Sequence, residues 1–176
     1  MTLITRSYPT PLGELSALVS PQGLCLLGFR SGTRYLAREW AQVERSRGGP
    51  AEPGSSAVTR QLGSELSAYF NGKLRVFEVP LDLVGTPFQL QVWQALLTLR
   101  YGQTSSYTAV ARQLGRPTAV RAVGAAIGQN KVYLIVPCHR VLGADHSLTG
   151  YGGGMPRKRW LLALEQGGVP PAEAIG

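Results

Sequence analysis

Proline and glycine divide this 176-residue chain into short apolar runs, and the spacing of the apolar residues changes near Gly85. Before that point, turn signals separate three runs rich in strand-forming residues, LITRSY, GELSALVS and GLCLLGF, which predict a small β meander. Beyond Gly85 the apolar residues recur mostly at helical spacing, which predicts a largely helical second half. The sequence therefore indicates an α+β protein of two domains, residues 1–84 and 85–176.

Two further segments of the first domain have helical periodicity. TRYLAREWAQVERS places Tyr35, Leu36, Trp40 and Val43 on one face. AVTRQLGSELSAYFNGK has a similar apolar face, and its Asn-Gly pair predicts the end of that helix. RGGPAEPGSS between them has the composition of a loop, and FEVPLDLVG is predicted to be extended. Cys25 lies in an apolar strand, where a buried cysteine acting as a small hydrophobic residue is the favoured interpretation.

The second half contains four predicted helices. Thr86 and Pro87 have the residue types of an N-cap and a first helical position for PFQLQVWQALLTLRYG. SYTAVARQLG and TAVRAVGAAIGQN follow, the latter with Thr118 as its candidate N-cap, and PRKRWLLALEQGG comes last with Gly167 as its C-cap. The two middle helices are short and are joined by a tight glycine-containing turn. Such a pair fits both a DNA-binding helix-turn-helix and an ordinary helical hairpin.

Charge and composition limit the functional classes. The formal net charge is +8, and from Leu83 onward there are nine basic and three acidic residues. A nucleic-acid partner and a surface charge that merely favours solubility explain this excess about equally well. No apolar run approaches the roughly 20 residues that span a bilayer, and we see no signal peptide. We therefore expect a cytoplasmic protein with no membrane partner.

The cysteines and histidines do not have the spacing of a disulfide framework or a zinc site. Cys25 and Cys138 are far apart, which favours a reducing compartment. Together with His139 and His146 they make four candidate soft ligands without a recognisable metal-binding pattern. This spacing argues against a structural zinc site.

The segment LIVPCHRVL places a cysteine and a histidine side by side within an apolar run. Pro137 removes a backbone donor and biases its predecessor toward extended geometry, so we expect a buried strand that ends at a partly exposed thiol. The thiolate is the nucleophilic form of cysteine, and a neighbouring base increases its fraction. Neighbours on an extended backbone point apart, so His139 would act on Cys138 through a bridging water. A bare Cys-His pair is nevertheless more often structural than catalytic.

A carboxylate that orients the histidine would complete this arrangement. The second half offers Asp145, Glu165 and Glu173. Glu165 lies on the apolar face of the last predicted helix, where a carboxylate needs a partner.

Four stretches of the second half resemble, in order, the C-terminal domain of the O6-alkylguanine-DNA alkyltransferases. They are GTPFQLQVWQAL, YGQTSSYTAVARQLGRPTAVRAVGAAIGQN, PCHRV and GYGGGMPRKRWLLALE. Members of this family repair DNA by transferring an alkyl group from guanine O6 to their own cysteine, and each molecule acts once. The first half resembles the family's more variable, ribonuclease-H-like domain in layout. The resemblance therefore implies a ribonuclease-H-like β-sheet with helices, followed by a mostly helical domain with a helix-turn-helix.

The resemblance assigns catalytic roles to residues of this chain. It implies that Cys138 accepts the alkyl group, that His139 acts as a water-mediated base and that Glu165 orients His139. Asn130 would hold the turn before the active-site segment. Tyr107 would donate a proton to the departing guanine, which gains negative charge in the transfer.

The resemblance also implies a DNA-binding face and a base pocket. Because guanine O6 is packed in the duplex stack, the nucleotide must flip out before a thiolate can reach the alkyl carbon. Arg121 would fill the gap left by the flipped nucleotide, and small side chains would let the helix backbone approach the minor groove. The other residues expected at the DNA are Tyr107, Thr118, Ala119, Ala122 and Gly124. Those expected around the base pocket are Tyr133, Val141, Tyr151, Gly152 and Gly153.

The chain departs from the family pattern at several positions. Lys131 and Tyr133 stand where many members have prolines, so Tyr133 would narrow the pocket or stack on the base. Gly152 replaces a serine found in some members, which removes a side-chain contact and keeps the N–H. Some members bind zinc in the first domain, but here that domain has Cys25 and no histidine, so no zinc is predicted.

Three functions stand as hypotheses. The first, which the resemblance implies, is a single-turnover methyltransferase. A monomer would irreversibly transfer the alkyl group of O6-alkylguanine, and also of O4-alkylthymine, from double-stranded DNA to Cys138, with no metal and no cofactor. The second is a binding module that recognises alkylated DNA without transferring the group. The third is a cysteine hydrolase, which multiple turnover on an ester or amide would reveal, and for which no second oxyanion donor is evident.

Overall fold

The computed structural model describes residues 2–31, 36–143 and 151–168. The chain divides into two compact units, the first ending at Val84 and the second beginning at Gly85. Within the described ranges, no helix combines the length and the apolar character needed to cross a bilayer.

The first unit is built on a four-stranded mixed sheet with the order β3-β2-β1-β4. Strands β1 (Ile4–Thr10), β2 (Gly13–Ser20) and β3 (Gly23–Phe29) form the predicted meander, which is confirmed as antiparallel. The short strand β4 (Glu52–Pro53) pairs parallel to β1, within a segment predicted to be a loop. Every residue of β3 is buried, which explains its unbroken apolar sequence.

Two helices pack on this sheet. Helix α1 (Leu36–Arg47) contacts β2 and β3, and helix α2 (Ala57–Phe70) contacts β1. Ser56 caps α2 by accepting a hydrogen bond from a backbone amide of its first turn. The helix ends at Phe70 with Asn71 as its C-cap, as the Asn-Gly pair predicts. Residues 33–35 of the first predicted helix lie outside the described residues.

A polar network centred on Asp82 ties the end of the first unit to the sheet. The Asp82 carboxylate accepts hydrogen bonds from Arg47 Nε at 2.8 Å, Arg47 Nη2 at 2.9 Å and Ser20 Oγ at 2.6 Å. The Asp82 amide donates to Leu24 O of β3 at 2.9 Å. Cys25 Sγ lies 3.6 Å from Asp82 Oδ2, and burial raises the pKa of this thiol. Cys25 is therefore a buried neutral thiol, as its apolar neighbours indicate.

The second unit is mainly helical. Its helices are α3 (Pro87–Leu96), α4 (Tyr107–Gln113), α5 (Val120–Gly128) and α6 (Met155–Glu165). A two-residue parallel ladder joins β5 (Ser105–Ser106) to β6 (Val141–Leu142). A short 3-10 helix, Cys138–Arg140, immediately precedes β6.

The predicted start of α3 is correct, and its predicted end is not. Thr86 caps the helix in a capping box, and a proline occupies the first turn. The helix ends at Leu96, whereas the predicted helix runs to residue 102. The hydroxyl of Thr98 donates to Ala95 O at 2.6 Å and the Thr98 amide donates to the same carbonyl at 3.1 Å, which tightens the chain into a turn.

The start of α5 lies one residue beyond the prediction. Ala119, and not Thr118, occupies the N-cap position, and it makes no side-chain capping hydrogen bond. Thr118 lies one position before the N-cap, outside the position whose side chain caps the first turn.

Trp93 lies in the core of the second unit. Its indole N–H donates to Ala126 O at 2.9 Å, which joins α3 to α5. A Cβ at Gly85 would come within 2.6 Å of the Trp93 ring, so the absence of a side chain lets the backbone pass the indole. Lys131 Nζ lies 5.2 Å from the ring centroid, within the range of a cation–π contact.

Candidate active site

The apolar run before Cys138 forms a buried turn and not the strand that the sequence predicts. Val136 N donates to Val132 O at 3.1 Å, and Leu134 adopts a φ of 73°. The cause is the side chain of Asn130, whose Oδ1 accepts from Val132 N at 2.9 Å and whose Nδ2 donates to Val136 O at 2.8 Å. These bonds satisfy backbone groups that a strand would pair with a neighbouring strand.

Cys138 begins the 3-10 helix and has 6% of its surface exposed, less than the sequence predicts. Asn130 Nδ2 donates to Cys138 Sγ at 3.1 Å. The same nitrogen also donates to Val136 O, so the turn and the sulfur share one amide group. A donor aimed at the sulfur stabilises negative charge there, and the thiolate is the nucleophilic form of cysteine.

His139 is fully buried next to Cys138 in the chain. Its Nε2 lies 2.7 Å from Glu165 Oε2, so we assign the ring proton to Nε2, which donates to the carboxylate. Nδ1 has no hydrogen-bond partner among the residues that the structure describes. In this neutral tautomer Nδ1 is an acceptor, available to take a proton.

Glu165 is held by two side chains of the 3-10 helix. Besides the contact with His139, its oxygens accept from Arg140 Nε at 2.7 Å and Arg140 Nη2 at 3.1 Å. Burial opposes ionisation of Glu165, but the hydrogen bonds and charges of His139 and Arg140 outweigh it and lower the pKa to about 2. Arg140 is fixed in turn through Nη1, which donates to Leu99 O at 2.7 Å.

Burial lowers the pKa of His139, although the hydrogen bond and charge of Glu165 act in the opposite direction. The positive charges of Arg140 and Lys158 lower it further. Because Arg140 already compensates the charge of Glu165, the imidazole need not be protonated to satisfy the carboxylate. His139 is therefore a neutral base near pH 7, oriented by an ionised carboxylate.

Arg140 and Lys158 also belong to the site, although neither is a candidate site residue from the sequence. Lys158 is fully buried on α6, and its Nζ donates to Val141 O at 2.6 Å. Burial lowers the pKa of Lys158 to about 8, with the negative charge of Cys138 acting in the opposite direction. The available signal was spacing, because Lys158, Leu161 and Glu165 share one face of a helix, whereas the run of basic residues suggested a solvated surface.

Val141 is one of the residues expected around the base pocket, and its carbonyl oxygen is thus already in contact with Lys158. A carbonyl oxygen has two lone pairs, so this contact orients the group and leaves one acceptor site.

The structure brings together two of the residues predicted at the DNA. Tyr107 is the first residue of α4, and a Cβ at Gly124 would lie 3.6 Å from its Cδ1, so the ring packs on the backbone of α5. Arg121 and Ala122 are exposed in the first turn of α5, and Ala119 before them is partly exposed. These residues form one continuous segment at the start of α5.

The loop Tyr151–Gly153 lies near the acceptor segment. The ring centroids of Tyr133 and Tyr151 are 5.5 Å apart with an interplanar angle of 37°. The Tyr151 hydroxyl is buried without a hydrogen-bond partner among the described residues, while the residue as a whole is partly exposed. Burial raises the pKa of Tyr151, and the charges of Cys138 and Tyr133 add to this effect. Arg157 Nη1 donates to Gly153 O at 3.1 Å, which fixes the loop to α6.

No group of three or more His, Cys, Asp and Glu side chains within residues 2–31, 36–143 and 151–168 could hold a metal ion. Asp145, His146 and Glu173 lie outside the described residues.

Models of two protein-domain families match the chain. The 6-O-methylguanine DNA methyltransferase ribonuclease-like domain matches residues 3–83. The 6-O-methylguanine DNA methyltransferase DNA binding domain matches residues 87–167.

Individual relatives give the same result. The chain is 58% identical over 167 residues to the methylated-DNA–protein-cysteine methyltransferase of Mycobacterium tuberculosis, covering 94% of this chain and 93% of the relative. It is 54% identical over 150 residues to the inducible enzyme of that name from Bacillus subtilis, covering 82% and 80%. Superposition on the crystal structure of Mycobacterium tuberculosis OGT in complex with DNA gives a TM-score of 0.80, with 42% identity and 94% of each chain covered.

Proposed function

The chain belongs to the methylated-DNA–protein-cysteine methyltransferase family, and from this premise we propose that it repairs O6-alkylguanine in double-stranded DNA by transferring the alkyl group to Cys138. The observation that carries the proposal is the pair of contacts from Asn130 Nδ2 to Cys138 Sγ at 3.1 Å and from His139 Nε2 to Glu165 Oε2 at 2.7 Å. They give one sulfur a hydrogen-bond donor and place an oriented neutral base beside it in the chain. Cys25, by contrast, lies beside a carboxylate whose charge opposes thiolate formation.

The proposed step is an in-line displacement at carbon. The thiol proton passes through a water to His139 Nδ1, and the thiolate attacks the alkyl carbon. The S–C bond forms as the C–O bond breaks, and the electron pair of the C–O bond leaves with the guanine. The Tyr107 hydroxyl donates a proton to the departing base. Because the product is a stable thioether, each chain acts once.

The side chains around Cys138 stabilise the charges that form during this step. Glu165 holds the ring of His139 and stabilises the imidazolium that forms. Arg140 keeps Glu165 ionised and His139 neutral before the reaction. Lys158, buried near Cys138, stabilises the thiolate because opposite charges attract strongly where water is excluded. Asn130 holds the turn and donates to the sulfur.

We propose that α4 and α5 act as a helix-turn-helix that docks on the minor groove and flips the damaged nucleotide. In this proposal the exposed Arg112 and Arg116 supply phosphate contacts, and Arg121, exposed in the first turn of α5, fills the gap in the stack. Thr118 and the small residues Ala119, Ala122 and Gly124 let the backbone approach. Val141, Tyr133 and the loop from Tyr151 to Gly153 would surround the flipped base.

In this proposal a single chain carries out the transfer and needs no cofactor. The nucleophile, base and orienting carboxylate all come from the second unit, so one monomer suffices for one lesion. O4-alkylthymine is a second substrate because it presents an alkylated oxygen in a comparable position. A free thiol must stay reduced to act, which favours the cytoplasm. We also propose that residues 1–84 and 85–176 are separate domains, with DNA binding and acceptance in the second.

The test uses a duplex that carries O6-methylguanine with a labelled methyl group. The wild-type chain should take up label once, with the mass of one methyl group added at Cys138. Cys138→Ala should take up none, and Cys25→Ala is the matched control that should behave as wild type. Label that stays on the DNA, or that leaves it with Cys138→Ala, contradicts the proposal.

The same experiment distinguishes the other two hypotheses. Tight lesion binding without mass gain would indicate a binding module. Multiple turnover on an ester or amide would indicate a hydrolase.

A further inference from the structure

Arg116 stacks on an aromatic ring at the surface of the second unit. Its guanidinium carbon lies 5.5 Å from the centroid of the Phe88 ring, within the range of a cation–π contact. Arg116 is exposed in the turn between α4 and α5, and Phe88, in the first turn of α3, is partly exposed. The contact therefore joins α3 to the turn of the proposed helix-turn-helix.

The backbone is fixed on both sides of this stack. In the turn, Arg116 N donates to Ala111 O at 2.9 Å, and Arg116 O accepts from Ala119 N at 2.9 Å. Phe88 lies inside the capping box at the start of α3. The guanidinium and the ring are thus carried by two anchored main-chain positions, so only side-chain freedom is lost when they stack.

The stack leaves the hydrogen-bonding edge of the guanidinium available. Within residues 2–31, 36–143 and 151–168, the guanidinium of Arg116 makes no hydrogen bond and no ion pair. A ring contact uses the face of the guanidinium plane, whereas the five N–H donors lie in that plane and fit the oxygens of a phosphate. The positive charge is therefore held at the surface with its donors unused.

Arg112 provides a comparison on the neighbouring helix. It is also exposed, in the last turn of α4, but it contacts no aromatic ring in the part of the chain that the structure describes. An arginine that binds a phosphate from a mobile state gives up side-chain freedom, which costs about twofold to tenfold in affinity. An arginine that already rests on a ring has lost much of that freedom before the DNA binds.

We propose that Phe88 is a positioning residue for DNA binding, and that its ring holds the Arg116 guanidinium in place to contact a phosphate of the duplex. The partner is the sugar–phosphate backbone, so the contact is independent of the base sequence and of the lesion. The inference rests on the proposed function, because it assigns a role within the helix-turn-helix that we propose to dock on DNA. It concerns binding and not the transfer to Cys138.

Salt dependence separates the number of phosphate contacts from the order of the side chains that make them. Each phosphate contact adds about 0.9 to the slope of log affinity against log salt concentration, so Arg116→Ala should lower that slope by about 0.9. Phe88→Leu should weaken binding to a lesion-free duplex about threefold to fivefold and leave the slope unchanged. The contact is still made in that variant, but by a more mobile arginine.

The experiment measures the affinity of the full chain for a lesion-free duplex over a range of salt concentrations. Phe88→Leu should have no further effect in a chain that carries Arg116→Ala, because the ring acts through that side chain. In a chain that carries Arg112→Ala, the matched control, Phe88→Leu should still weaken binding about threefold to fivefold. A loss of affinity from Phe88→Leu that is the same with and without Arg116 would overturn the inference, since the ring would then act on the DNA by itself.

Two conservative variants keep the test independent of any effect on folding. Phe88→Tyr retains an aromatic ring and should bind the duplex as the wild type does. Arg116→Lys retains the charge and the salt slope but not the planar stack, so it should bind more weakly than the wild type. Equal affinities for Arg116→Lys and the wild type would show that the charge alone matters and would contradict the role of the ring.

Methyl transfer from an O6-methylguanine duplex separates this inference from the proposed function. If the wild type binds duplex DNA and transfers no methyl group, the proposed transfer fails while the coupling between positions 88 and 116 remains measurable. If the wild type transfers the methyl group and the effects of Phe88→Leu and Arg116→Ala on binding are additive, the inference alone fails.

Discussion

Substituting Arg140 with glutamine should destabilise the second unit. The change removes hydrogen bonds to Glu165 at 2.7 and 3.1 Å together with the cation that compensates its charge, while the Glu165 side chain remains 1% exposed. Removing one partner of a buried ion pair typically costs about 3 to 5 kcal/mol, because the remaining charge is left without compensation. Arg140→Gln should lower the free energy of unfolding by that amount.

The same substitution should also slow transfer at neutral pH. Arg140 lowers the pKa of His139 and Glu165 raises it, so without Arg140 the influence of Glu165 is opposed only by burial and Lys158. A protonated His139 cannot accept the thiol proton. The acid limb of the pH–rate profile should therefore move to higher pH. Each pH unit of movement corresponds to about 1.4 kcal/mol in the free energy of protonating His139.

Urea unfolding measures the first effect, and single-turnover methyl transfer as a function of pH measures the second. Arg30→Gln is the matched control, because Arg30 pairs with Glu14 at 3.2 Å with side chains 59% and 48% exposed. Losing such a surface pair should cost at most about 1 kcal/mol. Combining Arg140→Gln with Glu165→Gln should cost less than the sum of the single changes. Unfolding of Arg140→Gln that is no easier than that of Arg30→Gln, or an acid limb that stays in place, would rule out these roles of Arg140.

Three further predictions concern other parts of the site. The pKa of Glu165 is lowered from 4.5 to about 2, so its stabilisation is complete above pH 4.5 and is lost as the pH falls toward 2. The loss amounts to about 3 kcal/mol in acid titrations of unfolding, and an equally steep titration in Glu165→Gln would contradict this assignment. Lys158→Met should slow transfer most below pH 8, since wild-type Lys158, with a pKa lowered to about 8, loses its charge above that pH. If the ratio of the wild-type rate to the Lys158→Met rate does not fall from neutral to alkaline pH, the charge of Lys158 is not the cause of the slower transfer. Arg121→Ala should slow transfer from duplex DNA about tenfold more than transfer from the free alkylated base, because the free base leaves no gap in a stack. Equal losses on both substrates would exclude a role in the duplex.

The outline of the fold follows from local patterns. Turn signals and apolar runs predict the meander of the first unit, and the capping residues Ser56 and Thr86 lie where helices begin. These features depend on neighbouring residues in the chain. The run before Cys138 could not be predicted in this way, because one side chain, Asn130, supplies the hydrogen bonds that turn an apolar segment away from a strand.

The sequence also does not show which basic residues of the second half lie at the surface. Counting residues suggests a strongly basic surface, but four of the nine basic residues after Leu83 are buried; they are Lys131, Arg140, Arg157 and Lys158. Arg140 pairs with Glu165, Arg157 and Lys158 donate to the backbone carbonyls of Gly153 and Val141, and Lys131 lies over the Trp93 ring. The five others are exposed, and three of these, at positions 112, 116 and 121, lie on or between α4 and α5. Composition cannot distinguish the buried basic residues from the exposed ones, because contacts with residues far away in the chain decide which of them are buried.

The parallel ladder between β5 and β6 links the proposed nucleophile to the proposed proton donor. Ser105 pairs with Val141 and Ser106 pairs with Leu142, so the residue before Tyr107 is in register with the chain just beyond Cys138. Ser106 also caps α4, whose first residue is Tyr107. Main-chain hydrogen bonds therefore hold together the two chain segments that carry the reacting groups, and side-chain substitutions leave these bonds in place. Substitutions around the site can change the pKa values of its groups while the distance between the two segments is kept.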